Sequence, residues 1–348
     1  MSYLRYRFYT DTRNTWKAML SSIAAAEHSI YLEMYILEND ATGNDFLSEL
    51  ERKAREGVKV ILILDSVGSF NLTRAATERL KSAGGEVLFF SYWFRRTHRK
   101  MLIIDDYTVY LGGVNIAGRF ALWKDLQVRL PGKRIARYAS RSFSRIYHEC
   151  GGKDPVFENM RPPKLLEWTK LWFIERGVPG RRHALKAYYE ERIRAAEHSV
   201  VLITPYFIPH RWLVAQLHNA ILRGVTVDII LPAHTDHAMI DRINAHFLSL
   251  MQRIGANCYL LEEMNHAKAM LIDEKSGIIG SHNIDLLSFD WNAEAGVFFE
   301  DAQMVRDLKK IVLGWKSEAT PFITIPSVHW YEIVIAGFLR LFQSAIWR

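Results

Sequence analysis

The chain has 348 residues, with 45 Lys+Arg against 38 Asp+Glu and a formal net charge of +7. Its 49% hydrophobic and 24% charged residues are the proportions of a folded globular protein long enough for about two domains, which excludes a disordered or low-complexity chain. Two cysteines exclude a disulfide-stapled scaffold or a Cys-rich zinc module and point to a reducing compartment, while the basic balance favours a phosphate-bearing partner, either nucleic acid or an anionic membrane.

The N-terminal segment lacks the apolar h-region of a signal peptide, and no run of about 18 uncharged apolar residues predicts a spanning helix. Apolar spacing predicts a helix over 15–26, a strand over 29–36, a helix over 45–56 stopped by Gly57, and a buried strand over 58–64. The same order recurs later. Ala24 to Leu32 matches Arg194 to Leu202, Arg55 to Ile63 matches Leu222 to Ile230, and His98 to Asp105 matches His266 to Asp273, at a nearly constant spacing. The chain is two copies of one alternating α/β unit, which predicts crossover connections, a largely parallel or mixed sheet in each copy, and a pseudo-two-fold molecule.

The expected organisation is a first α/β domain at 1–150, a basic and apolar connector at 151–182, a second α/β domain at 183–320, and a C-terminal helix at 321–348. Turn-rich GGKDP, RPP and GVPGRR flank a short apolar segment, LLEWTKLWFI (165–174), read as a helix. Upstream, Lys133, Arg137, Arg141 and Arg145 recur every four residues and form one basic stripe on a helix, either a solvated face or a phosphate or headgroup contact. The loop Ser91-Tyr92-Trp93-Phe94-Arg95-Arg96 mixes aromatic and basic residues, a pattern that suits membrane contact, base stacking or plain packing.

The chemistry concentrates in His98-x-Lys100-x4-Asp105 and His266-x-Lys268-x4-Asp273. Each is followed by a glycine turn and an asparagine, Gly112-Gly113-Val114-Asn115 and Gly280-Ser281-His282-Asn283. His and Lys one residue apart project to one face of an extended segment. Two such pairs related by pseudo-symmetry suit a single anion between the copies. Phosphodiester transfer needs a neutral nucleophile, an acid for the leaving alkoxide and fixed positive charge on the non-bridging oxygens. Two histidines, two lysines and the amides of Asn115 and Asn283 supply these, and no metal or cofactor is expected. His210, His234 and His237 lack a complementary ligand set and read as loop histidines.

This duplicated motif resembles that of the phospholipase D superfamily. The resemblance spans roughly 15–300 and implies two α/β/α domains with one active site at their interface. Carried over, His98 is the nucleophile that becomes a phosphohistidine, and His266 is the general acid and base. Lys100, Lys268, Asn115 and Asn283 bind the phosphate. Asp105 and Asp273, the last members of the catalytic motif, are structural or electrostatic supports. Asp125 and Glu294 each orient a motif histidine, and Ser281 supports the second copy. Gly113, where the family usually has serine, predicts one weaker hydrogen bond in the first copy.

Within the superfamily, Ser29-Ile30-Tyr31-Leu32-Glu33, Thr204-Pro205-Tyr206-Phe207-Ile208-Pro209 and Arg96-Thr97-His98-Arg99-Lys100 look closest to bacterial cardiolipin synthases. That resemblance implies transfer of a phosphatidyl group between two phosphatidylglycerol molecules with release of glycerol. The alternatives are a hydrolase on the same scaffold and, less favoured, a metal-independent nuclease. The C-terminal VHWYEIVIAGFLRLFQSAIWR, with a wide aromatic face and a narrow polar one, predicts a helix lying in a headgroup layer. The expected partners are therefore a phospholipid and a membrane surface, with no nucleic acid, and the expected location is peripheral on the cytoplasmic face.

Overall fold

The computed structural model describes residues 5–39, 41–157, 170–176 and 184–323. The first half runs β1 (Arg7–Asp11), α1 (Thr12–Ala24), β2 (Ser29–Met34), α2 (Phe46–Arg55), β3 (Lys59–Asp65), α3 (Arg74–Ser82), β4 (Glu86–Phe90), β5 (Lys100–Ile104), β6 (Thr108–Gly112), β7 (Lys124–Pro131) and α4 (Lys133–Glu149). The second runs β8 (Leu171–Arg176), α5 (Ala184–Ala195), β9 (Ser199–Ile203), α6 (Arg211–Leu222), β10 (Thr226–Pro232), α7 (Ala238–Arg253), β11 (Asn257–Leu261), β12 (Ala269–Ile272), β13 (Ser276–Gly280), β14 (Glu294–Phe299), α8 (Ala302–Glu318) and β15 (Thr320–Pro321).

The strands form two sheets, β1-β7-β6-β5-β2-β3-β4 and β15-β11-β10-β9-β12-β13-β14-β8. In each, the crossover strands are parallel (β2, β3, β4 and β9, β10, β11) and the motif strand joins them antiparallel, as in Met34↔Lys100 and Ile203↔Ala269. These strands read as unbroken apolar runs because both faces are covered. One apolar cluster packs α1, α2 and α3 on the outer face of the first sheet, and another packs α5, α6 and α7 on the second. A third lies between the sheets and takes in α4 and α8.

The connector departs from expectation. Residues 171–174 of the segment read as a helix belong to a strand, and β8 pairs with β14 along six residues from Leu171↔Phe299 to Glu294↔Arg176. The second sheet therefore begins inside the 151–182 stretch. Residues 165–169, and residues 324–348 of the proposed membrane helix, lie outside the described residues. The basic stripe does lie on a helix, α4. Lys133 and Arg137 are exposed, while Arg145 turns inward to an ion pair with Glu175.

The motif aspartates sit at the far ends of their strands. Asp105 accepts backbone N–H bonds from Glu27, His28 and Ser29 at 3.0, 2.7 and 2.8 Å. Asp273 does the same with Glu197, His198 and Ser199 at 3.0, 2.7 and 2.9 Å. Each thus fastens the turn between a helix and its following strand. Burial alone raises the Asp105 pKa, but the three N–H donors outweigh it and hold it below the usual carboxylate value. The bond set is intact above the unfolded pKa of about 4 and is lost as pH falls through the lower folded value. Replacing Asp105 by Ala should cost about 1–2 kcal/mol, as loss of a helix cap does. A lower midpoint in denaturant, with unchanged kcat per folded molecule, is the expected measurement.

Candidate active site

The motif histidines approach β5 and β12 from the edge where β2, β3, β9 and β10 end. Each is stitched to the other half. The His98 N–H donates to the Ala293 carbonyl at 2.9 Å, and the Ala293 N–H returns a bond to Arg96 at 2.8 Å. The His266 N–H donates to Lys124 at 2.7 Å, and the Lys124 N–H returns one to Met264 at 3.1 Å. Each histidine segment thereby runs alongside the start of the opposite half's acid-bearing strand, β14 or β7.

That pairing crosses the acids over. His98 Nδ1 lies 3.1 and 3.2 Å from the carboxylate oxygens of Glu294, and His266 Nδ1 lies 2.8 Å from Asp125 Oδ2. A carboxylate accepts, so each Nδ1 carries a proton, and Nε2 presents a lone pair while the ring is neutral or a second N–H when it is protonated. The repeat makes Asp125 and Glu294 equivalent, but only the assembled halves show that each serves the other half's histidine.

The two acids are held differently. Ser281 Oγ donates to Glu294 Oε2 and accepts the Ala295 N–H at 3.1 Å, while Ser288 Oγ donates to Oε1 at 2.8 Å. In the first half Asp125 Oδ1 itself accepts the Leu126 N–H at 2.7 Å. A Cβ at Gly113 would meet that oxygen at 2.1 Å. The missing serine is therefore no weakness: a serine at 113 has no room while Asp125 stands there.

Lys100 Nζ donates to the His98 carbonyl at 2.7 Å and sits over the Tyr35 ring at 4.8 Å, and Lys268 Nζ donates to the His266 carbonyl. Both lysines are buried, and among the described residues neither forms an ion pair. Asn115 and Asn283 are also buried, and each has a side-chain oxygen without a hydrogen-bond partner. Unpaired buried polar atoms are uncommon in native proteins. These oxygens are acceptors free for a donor such as a hydroxyl, and it is the two buried ammonium groups, neither neutralised by an ion pair, that suit an anion.

The electrostatics agree. Burial, then the Lys100 charge, lowers the His98 pKa. Burial, then Lys268 and Lys100, lowers that of His266 further. Burial drops Lys268 to about 8 and Lys100 well below its ordinary value. Burial raises Asp125 to about 7. For Glu294 burial acts in the same direction, but His98, Lys100 and Ser281 overcome it and hold the carboxyl at about 2. Charges from both halves act on each histidine, as one shared pocket requires. A bound anion opposes the mutual repulsion of the lysines and histidines, which adds to the larger effect of burial.

The structure thus brings together His98, Lys100, Asp125, His266, Lys268, Ser281 and Glu294, with Asn115 and Asn283 buried on the segments that follow β6 and β13 at the same edge. It leaves Asp105 and Asp273, the last members of the motif, at the opposite ends of β5 and β12, roughly 15–20 Å along an extended chain, where they support turns rather than meet the reacting atoms. His234 and His237 are exposed beside Asp241 and Asp236, and His210 is buried 3.2 Å from Asp290.

Several flanking groups were not singled out by sequence. Tyr35 meets the His98 ring edge-on at 4.7 Å, Trp123 lies 5.4 Å from the His266 ring, and Tyr206 donates to Asp236 at 2.5 Å near His266. Tyr206 stands in the Thr204–Pro209 segment that carries the family resemblance, and the signal for Tyr35 and Trp123 is position, just beyond or before a buried strand on the motif edge. Arg99, the variable residue between His98 and Lys100, is fully buried 3.6 Å from Glu33 and 3.9 Å from Glu175, and so ties the motif to β2 and β8.

Comparisons with known proteins point the same way. The family described as cardiolipin synthase, PLD-like domain, matches residues 19–147 and 189–313. The major cardiolipin synthase ClsA of Bacillus subtilis is 30% identical over 331 residues, covering 89% of this chain and 67% of that protein. A cardiolipin synthase of Clostridium perfringens is 30% identical, covering 87% of this chain and 68% of the relative. Among solved structures, phosphatidylserine synthase of Haemophilus influenzae superposes with a TM-score of 0.74 at 14% identity, over 98% of this chain and 93% of that one, which speaks for the fold. With both repeats matched and relatives at this identity along most of its length, the chain belongs to the cardiolipin synthase family of phospholipase D-like proteins.

Proposed function

We propose that the protein transfers a phosphatidyl group from one phosphatidylglycerol to the hydroxyl of a second, releasing glycerol. The observation that carries this reading is the pair of histidines from opposite repeats, each held by the other half's carboxylate around one cationic pocket. His98 Nε2 attacks phosphorus. The P–O bond to glycerol breaks, and the departing oxygen takes a proton from His266 Nε2, which carries one when the Asp125–His266 pair holds its additional proton. The hydroxyl of the second lipid then gives its proton back to His266 and attacks phosphorus, the P–N bond breaks, and His98 is regenerated. Lys100, Lys268 and the asparagine amides balance the charge on the non-bridging oxygens throughout. Glu294 is the firmer carboxylate, which favours His98 as the residue that carries positive charge as a phosphohistidine. The Asp125–His266 pair exchanges a proton near neutrality, as the acid and base role requires. Peripheral attachment to the cytoplasmic face of a membrane is part of the proposal.

Purified protein given phosphatidylglycerol in mixed micelles should yield cardiolipin and glycerol in equal amounts. Phosphatidic acid in excess of cardiolipin would identify a hydrolase instead. DNA cleavage without lipid turnover would overturn the reading.

The pH dependence has a definite sign. His98 must be neutral, and its lowered pKa keeps it so down to below the ordinary histidine value, so kcat/KM falls only on the acid side of about 6.5. On the basic side the Asp125–His266 pair loses the acid's proton at about 7 and Lys268 loses its charge above about 8, so the limb falls in two steps. A Lys268→Arg variant should remove the upper step and leave the lower one. A profile flat from about pH 5 to 9 would count against this assignment.

A further inference from the structure

The strand ends define the edge at which the motif histidines lie, and exposed apolar side chains gather there. Val67 and Phe70 lie on the loop after β3, at 49% and 74% exposure, and Trp93 and Phe94 on the loop after β4, at 89% and 74%. Leu122 follows Asn115, and Leu287 follows Asn283, at 78% and 56%. By contrast, the opposite edge of the sheets carries scattered examples such as Tyr107 and Leu222. Scattered apolar residues need no explanation, whereas a set gathered at one edge does.

The rim is braced. Ser69 Oγ donates to the Tyr35 carbonyl at 2.9 Å, which ties the Phe70 loop to the ring that packs on His98. The Arg96 N–H donates to Asn292 at 3.2 Å, and the Phe94 ring lies 6.3 Å from Trp291, so the Trp93 loop is held against the second half. The Arg96 guanidinium also donates to the Trp93 carbonyl at 3.3 Å. An indole kept in water by a fixed loop costs free energy that burial in an apolar phase returns. Two exposed arginines, Arg74 and Arg211, begin the helices α3 and α6 that leave the same edge, and the chain carries a net charge of +7.

We propose that this edge is a docking rim that seats on the surface of an anionic lipid bilayer, with Phe70 and Trp93 inserted at headgroup depth and the arginines facing lipid phosphates. The proposal rests on the phosphatidyltransferase reading and goes beyond it by naming which surface meets the membrane. A diacyl lipid then presents its headgroup to buried histidines while its chains stay in the bilayer. Aromatic and basic residues together suit that depth.

The test is a Phe70→Ser/Trp93→Ser double variant of the full chain, with two measurements. The first is co-sedimentation with vesicles of phosphatidylglycerol and phosphatidylcholine. The second is turnover of a short-chain phosphatidylglycerol below its micelle concentration. Vesicle partitioning should fall tenfold or more, while turnover of the monomeric lipid stays within about twofold. In addition, brominated lipid should quench emission from the natural protein more than from Trp93→Phe. Undiminished partitioning, equal loss on monomeric and vesicular lipid, or absence of a Trp93-dependent quench would overturn the proposal. So would Trp93-dependent binding of single-stranded DNA, or a dimer lost in the double variant, since either gives the rim another occupant. If the natural protein turns over no lipid, the transferase reading falls while the vesicle and quenching results still decide the docking surface.

Discussion

Replacing His98 by Ala should lower transfer by about 10⁴-fold or more, because it removes the atom that bonds to phosphorus and no neighbouring group takes its place. The companion His266→Asn behaves differently if the roles are divided as proposed. With natural phosphatidylglycerol, whose leaving alkoxide needs a proton, it too should lose most activity. With an aryl phosphodiester, whose phenolate leaves unaided, the first step should survive and the second should stall for want of a base. The expected result is a stoichiometric burst of phenol and an acid-labile phosphatidyl group on His98. The His98→Ala variant should show neither. A burst in His98→Ala, with none in His266→Asn, would reverse the two roles and leave the paired-histidine mechanism standing. A burst in neither variant, with activity persisting in both, would remove it.

Much of this was legible in the sequence because it depends on local spacing. The repeat, the non-alternating strands around Val60 and Val227, and the His/Lys pairs at strand starts all follow from periodicity and duplication. The crossover of Asp125 and Glu294 was not legible. A repeat says which residues are equivalent, and pairing across a pseudo-two-fold is a property of the interface. The strand β8 was misread for a related reason. It is an edge strand with Glu175 and Arg176 buried on its opposite faces and satisfied by Ser142, Arg145 and the Asn292 carbonyl, so its sequence shows neither a clean apolar run nor alternation. Arg99 hid in the motif's variable position because its partners, Glu33 and Glu175, come from strands remote in sequence.

The crossed acids give the second large effect. Glu294→Gln keeps the shape at His98 but removes the anion that stabilises a positively charged ring. A loss of about 10²–10⁴-fold is expected, between that of a metal-site supporting group and that of a triad aspartate. Because the Glu294 charge raises the His98 pKa, its removal should also move the acid limb of kcat/KM to lower pH, a shift that a merely structural role would not produce. The first half offers a sharper test of the same idea. Gly113→Ser drives a side chain into the place of Asp125 Oδ1 and should disturb His266, with a loss of about 10²-fold. Adding Asp125→Glu rebuilds the second half's arrangement, in which a serine hydroxyl takes the backbone N–H and binds a longer carboxylate. The double variant should therefore recover activity that neither single variant has, a non-additive result confined to groups sharing one network. Additive losses would mean that Gly113 and Asp125 do not act as a unit, and that the first copy's departure from serine serves some purpose other than making room for the acid that holds His266.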